Sequence, residues 1–193
     1  AAPAAVPADK RGDYEVIYGM PKPGELKDFV NLKWFCGSFA GVDAYLDDSL
    51  YPSPEVMLSN SSGAYGTTIS EHLIMVCLML LRRQMEYTEI IREGGWRVLP
   101  GGIHSLHGAR VTCLGAGDIG THIATLFAAV GSHVTGVRRR AAAAEAPFKR
   151  MATMDELAEL LPEADVVASV LPSTPQTRGL ADAGFFARMK EGA

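Results

Sequence analysis

Three glycines that stand between a short apolar segment and a helical pattern constrain the fold of this chain more than any other feature. They belong to the run Gly115-Ala116-Gly117-Asp118-Ile119-Gly120, which has the spacing GxGxxG. The preceding segment Val111–Leu114 is predicted to be a strand, and Ile119–Val130 a helix. In this context the run is typical of a turn whose backbone approaches a pyrophosphate, which the helix N-terminus then binds. We therefore predict a dinucleotide site here; a glycine-rich turn that binds no ligand is the alternative.

The next predicted strand, Val134–Val137, is followed by Arg138, Arg139 and Arg140. Sites selective for NAD usually carry an acidic residue roughly 20 residues past the glycines, where it binds the ribose 2′-hydroxyl. Arginine occupies that position here, and guanidinium groups pair well with a phosphate that a carboxylate would repel. The pattern favours NADP, with NAD as the alternative cofactor and a solvated basic loop as the alternative structure.

Predicted strands and helices alternate along the whole chain, which predicts an α/β fold with a doubly wound parallel sheet. The other predicted strands are Glu15–Tyr18, Leu32–Cys36, Val56–Leu58 and Val166–Val170. The other predicted helices are Thr67–Tyr87, Asp155–Leu161 after a capping box that starts at Thr153, and one that Asp182 caps and that ends at Met189.

The net charge of −4 gives no electrostatic reason to expect a nucleic acid or an anionic membrane as a partner. The longest apolar run, Leu73–Leu81, is too short to cross a bilayer. Cys36, Cys77 and Cys113 lie in apolar segments without a CxxC motif. We therefore expect reduced thiols and a cytoplasmic protein.

None of the five histidines has the spacing of a catalytic or metal-binding group. His72 follows Glu71, but adjacent helix residues do not face each other. His104 and His107 lack a third metal ligand. His122 and His133 are expected at packing or solvent positions, so we predict no catalytic residue and no metal site.

Several segments, in order, resemble the D-isomer-specific 2-hydroxyacid dehydrogenases, which include glyoxylate/hydroxypyruvate reductases and phosphoglycerate dehydrogenase. These segments are Leu32–Phe35 with Ala40–Asp43, Ile69–His72, Trp96, Leu106–Gly120, Ala164–Val167, Leu171–Thr177 and Met189–Ala193. The resemblance implies a Rossmann-type cofactor domain and part of a flavodoxin-like substrate domain. Residues 1–66 would then belong to the substrate domain, 67–102 to an interdomain helix and connection, and 103–193 to the NAD(P)-binding domain.

The resemblance also implies roles for individual residues. The backbone N–H groups of Gly41 and Val42 would bind the substrate carboxylate; a turn glycine without a ligand is the alternative for Gly41. Leu171 and Pro172 would lie against the adenosine ribose and Thr177 near the phosphates, with a proline-stopped strand end as the alternative. The arginine, glutamate and histidine of the family's chemistry would follow position 193, and Glu15–Tyr18 resembles a later strand of the substrate domain, so we expect a chain truncated at both ends.

The predicted function is hydride transfer between NADP(H) and a small 2-keto or D-2-hydroxy acid, of the glyoxylate/hydroxypyruvate reductase type. The resemblance implies a homodimer. Two alternatives stay open: an interaction protein that senses a dinucleotide, as the family's co-repressors do, and an inactive NAD(P)-binding fragment.

Overall fold

A computed structural model describes residues 3–193, which form two compact units. The first contains the chain up to Tyr65 together with Pro172–Arg178, and the second contains Gly66–Leu171 and Gly179–Ala193. Each unit is built on its own parallel sheet. The predicted α/β class is therefore confirmed. None of the helices in residues 3–193 has the length and apolar character needed to cross a bilayer.

The first unit has a three-stranded sheet of order β1-β2-β3. Its strands are β1 (Val16–Gly19), β2 (Trp34–Gly37) and β3 (Met57–Ser59). Ile17 and Phe35 pair in register and are buried against short 3-10 segments that contribute Leu26 and Phe29. Because side chains alternate along a strand, this pairing places Val16 and Tyr18 of β1, and Trp34 and Cys36 of β2, on the opposite face.

The second unit has a four-stranded parallel sheet of order β6-β5-β4-β7. Its elements are α1 (Gly66–Leu81), α2 (Gln84–Arg92), β4 (Arg110–Leu114), α3 (Asp118–Ala129), β5 (His133–Arg138), β6 (Arg150–Thr153), α4 (Leu157–Leu160), β7 (Val166–Ser169) and α5 (Ala183–Arg188). One core cluster joins one sheet face to Cys77 of α1 and Phe127 of α3. A second joins Leu114 and Val137 to Leu160 and Phe185. Helices thus cover both faces, as the doubly wound fold requires.

The prediction of one helix over Thr67–Tyr87 is wrong, because the chain breaks between α1 and α2. Arg83 adopts a left-handed conformation with φ 53°, which a continuous helix cannot contain. Its guanidinium group holds the break by two 2.6 Å contacts to the Glu86 carboxylate and by a bond to the Pro100 carbonyl. Strand β6 was not predicted, and the predicted helix Asp155–Leu161 is α4 flanked by 3-10 turns.

Asp165, immediately before β7, ties three parts of the second unit together. Its carboxylate accepts a 2.7 Å hydrogen bond from the backbone N–H of Arg110 and pairs with the ammonium group of Lys190. Partial burial raises the pKa of Asp165, but the two hydrogen bonds and the positive charges of Lys190 and Arg110 together outweigh this effect, so the pKa lies below its ordinary value. The ionised carboxylate therefore stabilises the alignment of β4, β7 and the segment after α5.

Replacing Asp165 by asparagine is expected to lower the free energy of unfolding by about 1 kcal/mol at neutral pH, since this half-exposed pair is partly screened. Because the pKa of Asp165 is lowered in the folded state, the carboxylate stabilises the fold at pH values above its unfolded-state pKa of about 3.9. This stabilisation is lost as the pH falls through the folded-state pKa. Urea unfolding between about pH 6 and about pH 3 should therefore show the two proteins converging in acid. A stability difference that stays constant across this range would contradict the role of the ionised carboxylate.

Candidate cofactor site

The three glycines after β4 are each required for a different physical reason. Gly115 has φ +105°, and a Cβ there would lie 2.9 Å from the carbonyl oxygen of Val170. A Cβ on Gly120 would lie 1.9 Å from the carbonyl oxygen of Gly115, so α3 packs directly on the strand end. Gly117 is different, because a Cβ there would meet no atom within 4 Å. Gly115 and Gly120 thus shape the turn, whereas Gly117 leaves open space in front of it.

That open space faces the start of α3. Gly117 is the N-cap residue, and its carbonyl oxygen accepts bonds from the N–H and the hydroxyl of Thr121 at 2.9 and 2.8 Å. The N–H groups of the first helical residues, Asp118, Ile119 and Gly120, have no partner four residues earlier in the helix. Ala116 and Ile119 are half-buried beside them. The turn therefore combines free donors, a positive helix end and room for a phosphate, which fits the pyrophosphate of a dinucleotide.

Cys113 lies beneath the turn and supports it. Its Sγ is 3.7 Å from the carbonyl oxygen of Gly115 and 3.9 Å from that of Gly120. Burial raises the pKa of the Cys113 thiol to about 12, so the group stays protonated and can donate to these oxygens. Cys113 and the buried Cys77 are free thiols, as is the half-buried Cys36. Cys113 therefore packs and orients the turn, and its protonation makes it a poor nucleophile.

Arg138 ends β5 directly beside the glycine turn. The neighbouring Val137 pairs with Leu114, and its carbonyl oxygen accepts a 2.9 Å bond from the N–H of Gly115. Arg138, Arg139 and Arg140 are all exposed. Over residues 3–193 none of the three forms an ion pair. The edge of the site thus carries unneutralised guanidinium groups where a selective NAD site carries a carboxylate.

The chain continues past β7 along the same edge of the sheet. The N–H of Val170 donates a 2.8 Å bond to the carbonyl oxygen of Leu114, and Leu171 packs partly buried against the cluster that contains Val137. Pro172, which begins the next segment, is exposed. Leu171 therefore offers an apolar surface at the carboxyl ends of the strands, where ligands bind in open α/β sheets.

Thr177 stabilises a turn by its hydroxyl group. The hydroxyl donates a 2.6 Å bond to the carbonyl oxygen of Pro172 and accepts a 2.9 Å bond from the N–H of Thr174. A hydroxyl has one donor, so donation to a phosphate would require the bond to Pro172 to break. This geometry gives Thr177 a positioning role that sequence reasoning missed.

The predicted substrate loop follows β2 in the first unit. Gly41 is exposed and Val42 half-buried, and neither N–H has an acceptor among the residues that the structure describes. Two adjacent free N–H donors can bind a carboxylate. The loop lies at the carboxyl end of its strand, as ligand-binding loops of parallel sheets do.

Side chains that sequence reasoning missed hold this loop in place. The amide of Asn60 donates a 2.5 Å bond to the Ala40 carbonyl oxygen, and the Tyr65 hydroxyl donates one of 2.5 Å to that of Ser38. Phe39 stacks on Tyr45 with ring centroids 4.8 Å apart. Asn60 and Tyr65 thus fix the loop backbone from the segment after β3, and the stacking of Phe39 on Tyr45 adds a contact within the chain that follows β2.

The histidines occupy positions without an evident catalytic partner. His122 packs against Gly66, where a Cβ would lie 2.2 Å from its Cδ2, and its Nε2 is 3.9 Å from the Asp118 carboxylate. His72 is exposed on α1. Within residues 3–193 no three His, Cys, Asp or Glu side chains form a group that could hold a metal ion.

Comparison with known protein families shows to which family the chain belongs. Residues 74–193 match the model of the NAD-binding domain of the D-isomer specific 2-hydroxyacid dehydrogenases. The chain belongs to this family. The match spans α3, β4 to β7 and the glycine turn, so this part of the chain is the family's NAD-binding domain.

Similar proteins span nearly all of the chain. It is 27% identical to the glyoxylate/hydroxypyruvate reductase A of Serratia proteamaculans over 192 residues, which is 96% of this chain and 59% of that protein. A crystal structure of a D-isomer specific 2-hydroxyacid dehydrogenase family protein from Aeromonas salmonicida superposes with a TM-score of 0.85 at 31% identity, covering 96% of this chain and 59% of that one.

A further solved structure is an NADPH-dependent glyoxylate/hydroxypyruvate reductase from Sinorhizobium meliloti in complex with NADP and sulfate. It has a TM-score of 0.77 and 28% identity, covering 97% of this chain and 59% of that one. The chain matches only 29 to 34% of the length of several yeast D-3-phosphoglycerate dehydrogenases. It therefore corresponds to part of the length of each of these relatives.

Proposed function

We propose that the intact protein reduces a small 2-keto acid to the D-2-hydroxy acid with NADPH. The observation that carries the proposal is the set of unpaired, exposed guanidinium groups at the end of β5, beside an open phosphate-binding turn. The family supplies the reaction class. Relatives named glyoxylate/hydroxypyruvate reductase, one of them NADPH-dependent, support the choice of substrate and cofactor.

When bound, the cofactor would supply a hydride, and residues of this chain would hold and orient the cofactor. Residues 115–120 would bind the pyrophosphate through backbone N–H groups. Arg138 and Arg139 would bind the 2′-phosphate, and Leu171 and Pro172 would lie against the adenosine ribose. Thr177 keeps the segment after Pro172 in a defined turn.

The substrate carboxylate would be bound by the free N–H groups of Gly41 and Val42. Asn60 and Tyr65 fix that loop before substrate arrives, which reduces the entropy lost on binding. In this proposal residues 1–66 serve the substrate and 103–193 the cofactor, with 67–102 connecting them. Backbone donors of this kind would bind the carboxylate that all 2-keto acids share and would not contact the side chain of the substrate. Such an anchor suits small keto acids.

A spectrophotometric assay of the intact protein tests this function. With NADPH, glyoxylate and hydroxypyruvate should be reduced, and the hydroxypyruvate product should have the D configuration by chiral chromatography. Failure to oxidise NADPH with either acid, in a protein that binds NADPH, would contradict the proposed reaction while leaving the proposed cofactor site intact.

We also propose that the intact protein is a homodimer. In the second unit Trp96 and Val98 are 98% and 87% exposed, and Leu80, Met85 and Ile91 expose apolar side chains on α1 and α2. Large apolar side chains this exposed would be covered by a protein interface. Sedimentation velocity should give the mass of two chains, and exchange of Trp96 for glutamate should shift it towards one. A monomeric wild-type protein would contradict the proposal.

A further inference from the structure

A pocket with polar and apolar lining residues lies in the NAD-binding domain, at the amino ends of β4, β5 and β6. Its volume is about 200 Å³. The glycine turn lies at the carboxyl end of β4. The strands are parallel and the glycine turn follows the last residue of β4, whereas Arg110, the first residue of β4, lines this pocket. Arg110 lies about 16 Å from Gly115 along the strand, and no residue of the glycine turn lines the pocket. The pocket is therefore distinct from the cofactor site.

Strand register explains why polar side chains meet in this pocket. Arg110 pairs with His133, Thr112 with Thr135, and Thr135 with Arg150. Paired residues in neighbouring strands point to the same face, so all five side chains lie on the face that α4 covers. Leu160 of α4 and Ala164 line the pocket from the other side.

Two hydroxyl groups in the pocket have no protein partner. Thr112 is only 4% exposed, yet neither its hydroxyl nor that of Thr135 forms a hydrogen bond among residues 3–193. No polar side-chain atom in that range is both sealed from solvent and unbonded. Both oxygens therefore reach solvent, and both residues line the pocket. The two hydroxyls keep their full bonding capacity for water or for a polar ligand in the pocket.

Cationic groups surround these hydroxyls. Arg110 pairs with Glu163 at 3.0 Å, and Arg150 pairs with Glu156 at 2.6 Å. The ammonium group of Lys149 lies 2.5 Å from Nδ1 of His133.

Each of the two guanidinium groups has five N–H donors and makes one ion pair among the described residues, so donors remain on both. Among the residues that line the pocket, two arginines stand against one carboxylate, that of Glu163, so the lining carries a net positive charge with His133 neutral.

We propose that this pocket binds a small oxyanion, a phosphate or carboxylate group carried by a metabolite. Guanidinium forks match the geometry of both groups, and the hydroxyls of Thr112 and Thr135 would donate to further oxygens. A cation would be repelled by the rim, and an apolar ligand would leave the hydroxyls without partners. The available volume admits a phosphate or a short dicarboxylate and excludes a nucleotide.

The test is a calorimetric titration of the intact protein with inorganic phosphate and with malonate, at constant ionic strength, in the absence and in the presence of saturating NADPH. NADPH blocks the phosphate-binding turn but leaves the proposed carboxylate anchor at Gly41 and Val42 open, so the pocket variants decide where a remaining anion binds. Arg150→Gln should raise the dissociation constant by about tenfold or more, through loss of a charge-assisted bond. Thr135→Val, which keeps the shape and suits a strand, should raise it by about fivefold.

Arg188→Gln provides the matched control, since Arg188 is exposed in the last turn of α5 and does not line the pocket. It should bind phosphate and malonate as the wild type does. The proposal is overturned if NADPH displaces all anion binding, or if both pocket variants keep wild-type affinity. Because Thr135→Val removes no charge and no ion pair, its result stands even if Arg150→Gln perturbs folding.

Discussion

Exchange of Gly117 for valine is expected to abolish cofactor binding and leave the fold intact. A Cβ at this position meets no protein atom within 4 Å, and the φ of −95° is open to any residue. The branched side chain would instead occupy the space in which a pyrophosphate contacts the backbone of α3. We expect the dissociation constant for NADPH to rise by about a hundredfold or more, since at least two charge-assisted bonds are lost.

The neighbouring glycine gives the matched control. Gly120→Ala places a Cβ 1.9 Å from the Gly115 carbonyl oxygen, so it should lower the free energy of unfolding by about 1–3 kcal/mol through overpacking. Fluorescence titration with NADPH and urea unfolding separate the two effects. Gly117→Val with normal affinity, or with a loss of stability as large as that of Gly120→Ala, would show that Gly117 serves the turn alone.

Arg138→Asp is expected to reverse the cofactor preference. The guanidinium group stands at the end of β5 without an ion pair among residues 3–193, where a 2′-phosphate would lie. Loss of one charge-assisted contact costs about 1.5–3 kcal/mol, and the new carboxylate adds repulsion, so NADPH should bind at least about tenfold more weakly. NADH should bind more tightly, because a carboxylate accepts bonds from the ribose 2′-hydroxyl.

Competitive titration of NADPH and NADH measures this reversal in the Arg138→Asp variant, and Arg188→Asp controls for the change in net charge. The control should keep the wild-type preference, since Arg188 lies in α5, away from the end of β5. An Arg138→Asp variant that still prefers NADPH would assign selectivity to Arg139 or Arg140, and equal loss of both cofactors would indicate a damaged site.

Much of the fold could be predicted because its signals are local. Strands such as β4 are short, mostly apolar segments, and the spacing of the three glycines after β4 is typical of a phosphate-binding turn. Strand β6 was missed because it is short and at the sheet edge, with Arg150 at its start. The break at Arg83 was missed because a left-handed residue there is usually glycine, and the bonds that hold it involve Pro100, 17 residues away.

The same difference between local and distant signals decides which parts of the candidate site could be predicted from the sequence. The pyrophosphate turn and Arg138 lie within one strand–helix–strand unit, so their spacing in the sequence reflects their spacing in the fold. Asn60 and Tyr65 support the proposed substrate loop from 20 and 27 residues away, and isolated polar side chains leave no periodic signal. The pocket that we propose to bind an oxyanion is formed by the register of β4, β5 and β6, which composition and motifs do not encode.

Isothermal titration of the wild-type intact protein with NADPH and with NADH, at one ionic strength, tests the central claim most directly. The unpaired guanidinium groups beside the glycine turn predict that NADPH binds at least about tenfold more tightly, which corresponds to one charge-assisted phosphate contact. They also predict that this advantage shrinks as salt screens the exposed groups. Equal affinity for the two cofactors, or tighter binding of NADH, would contradict the account.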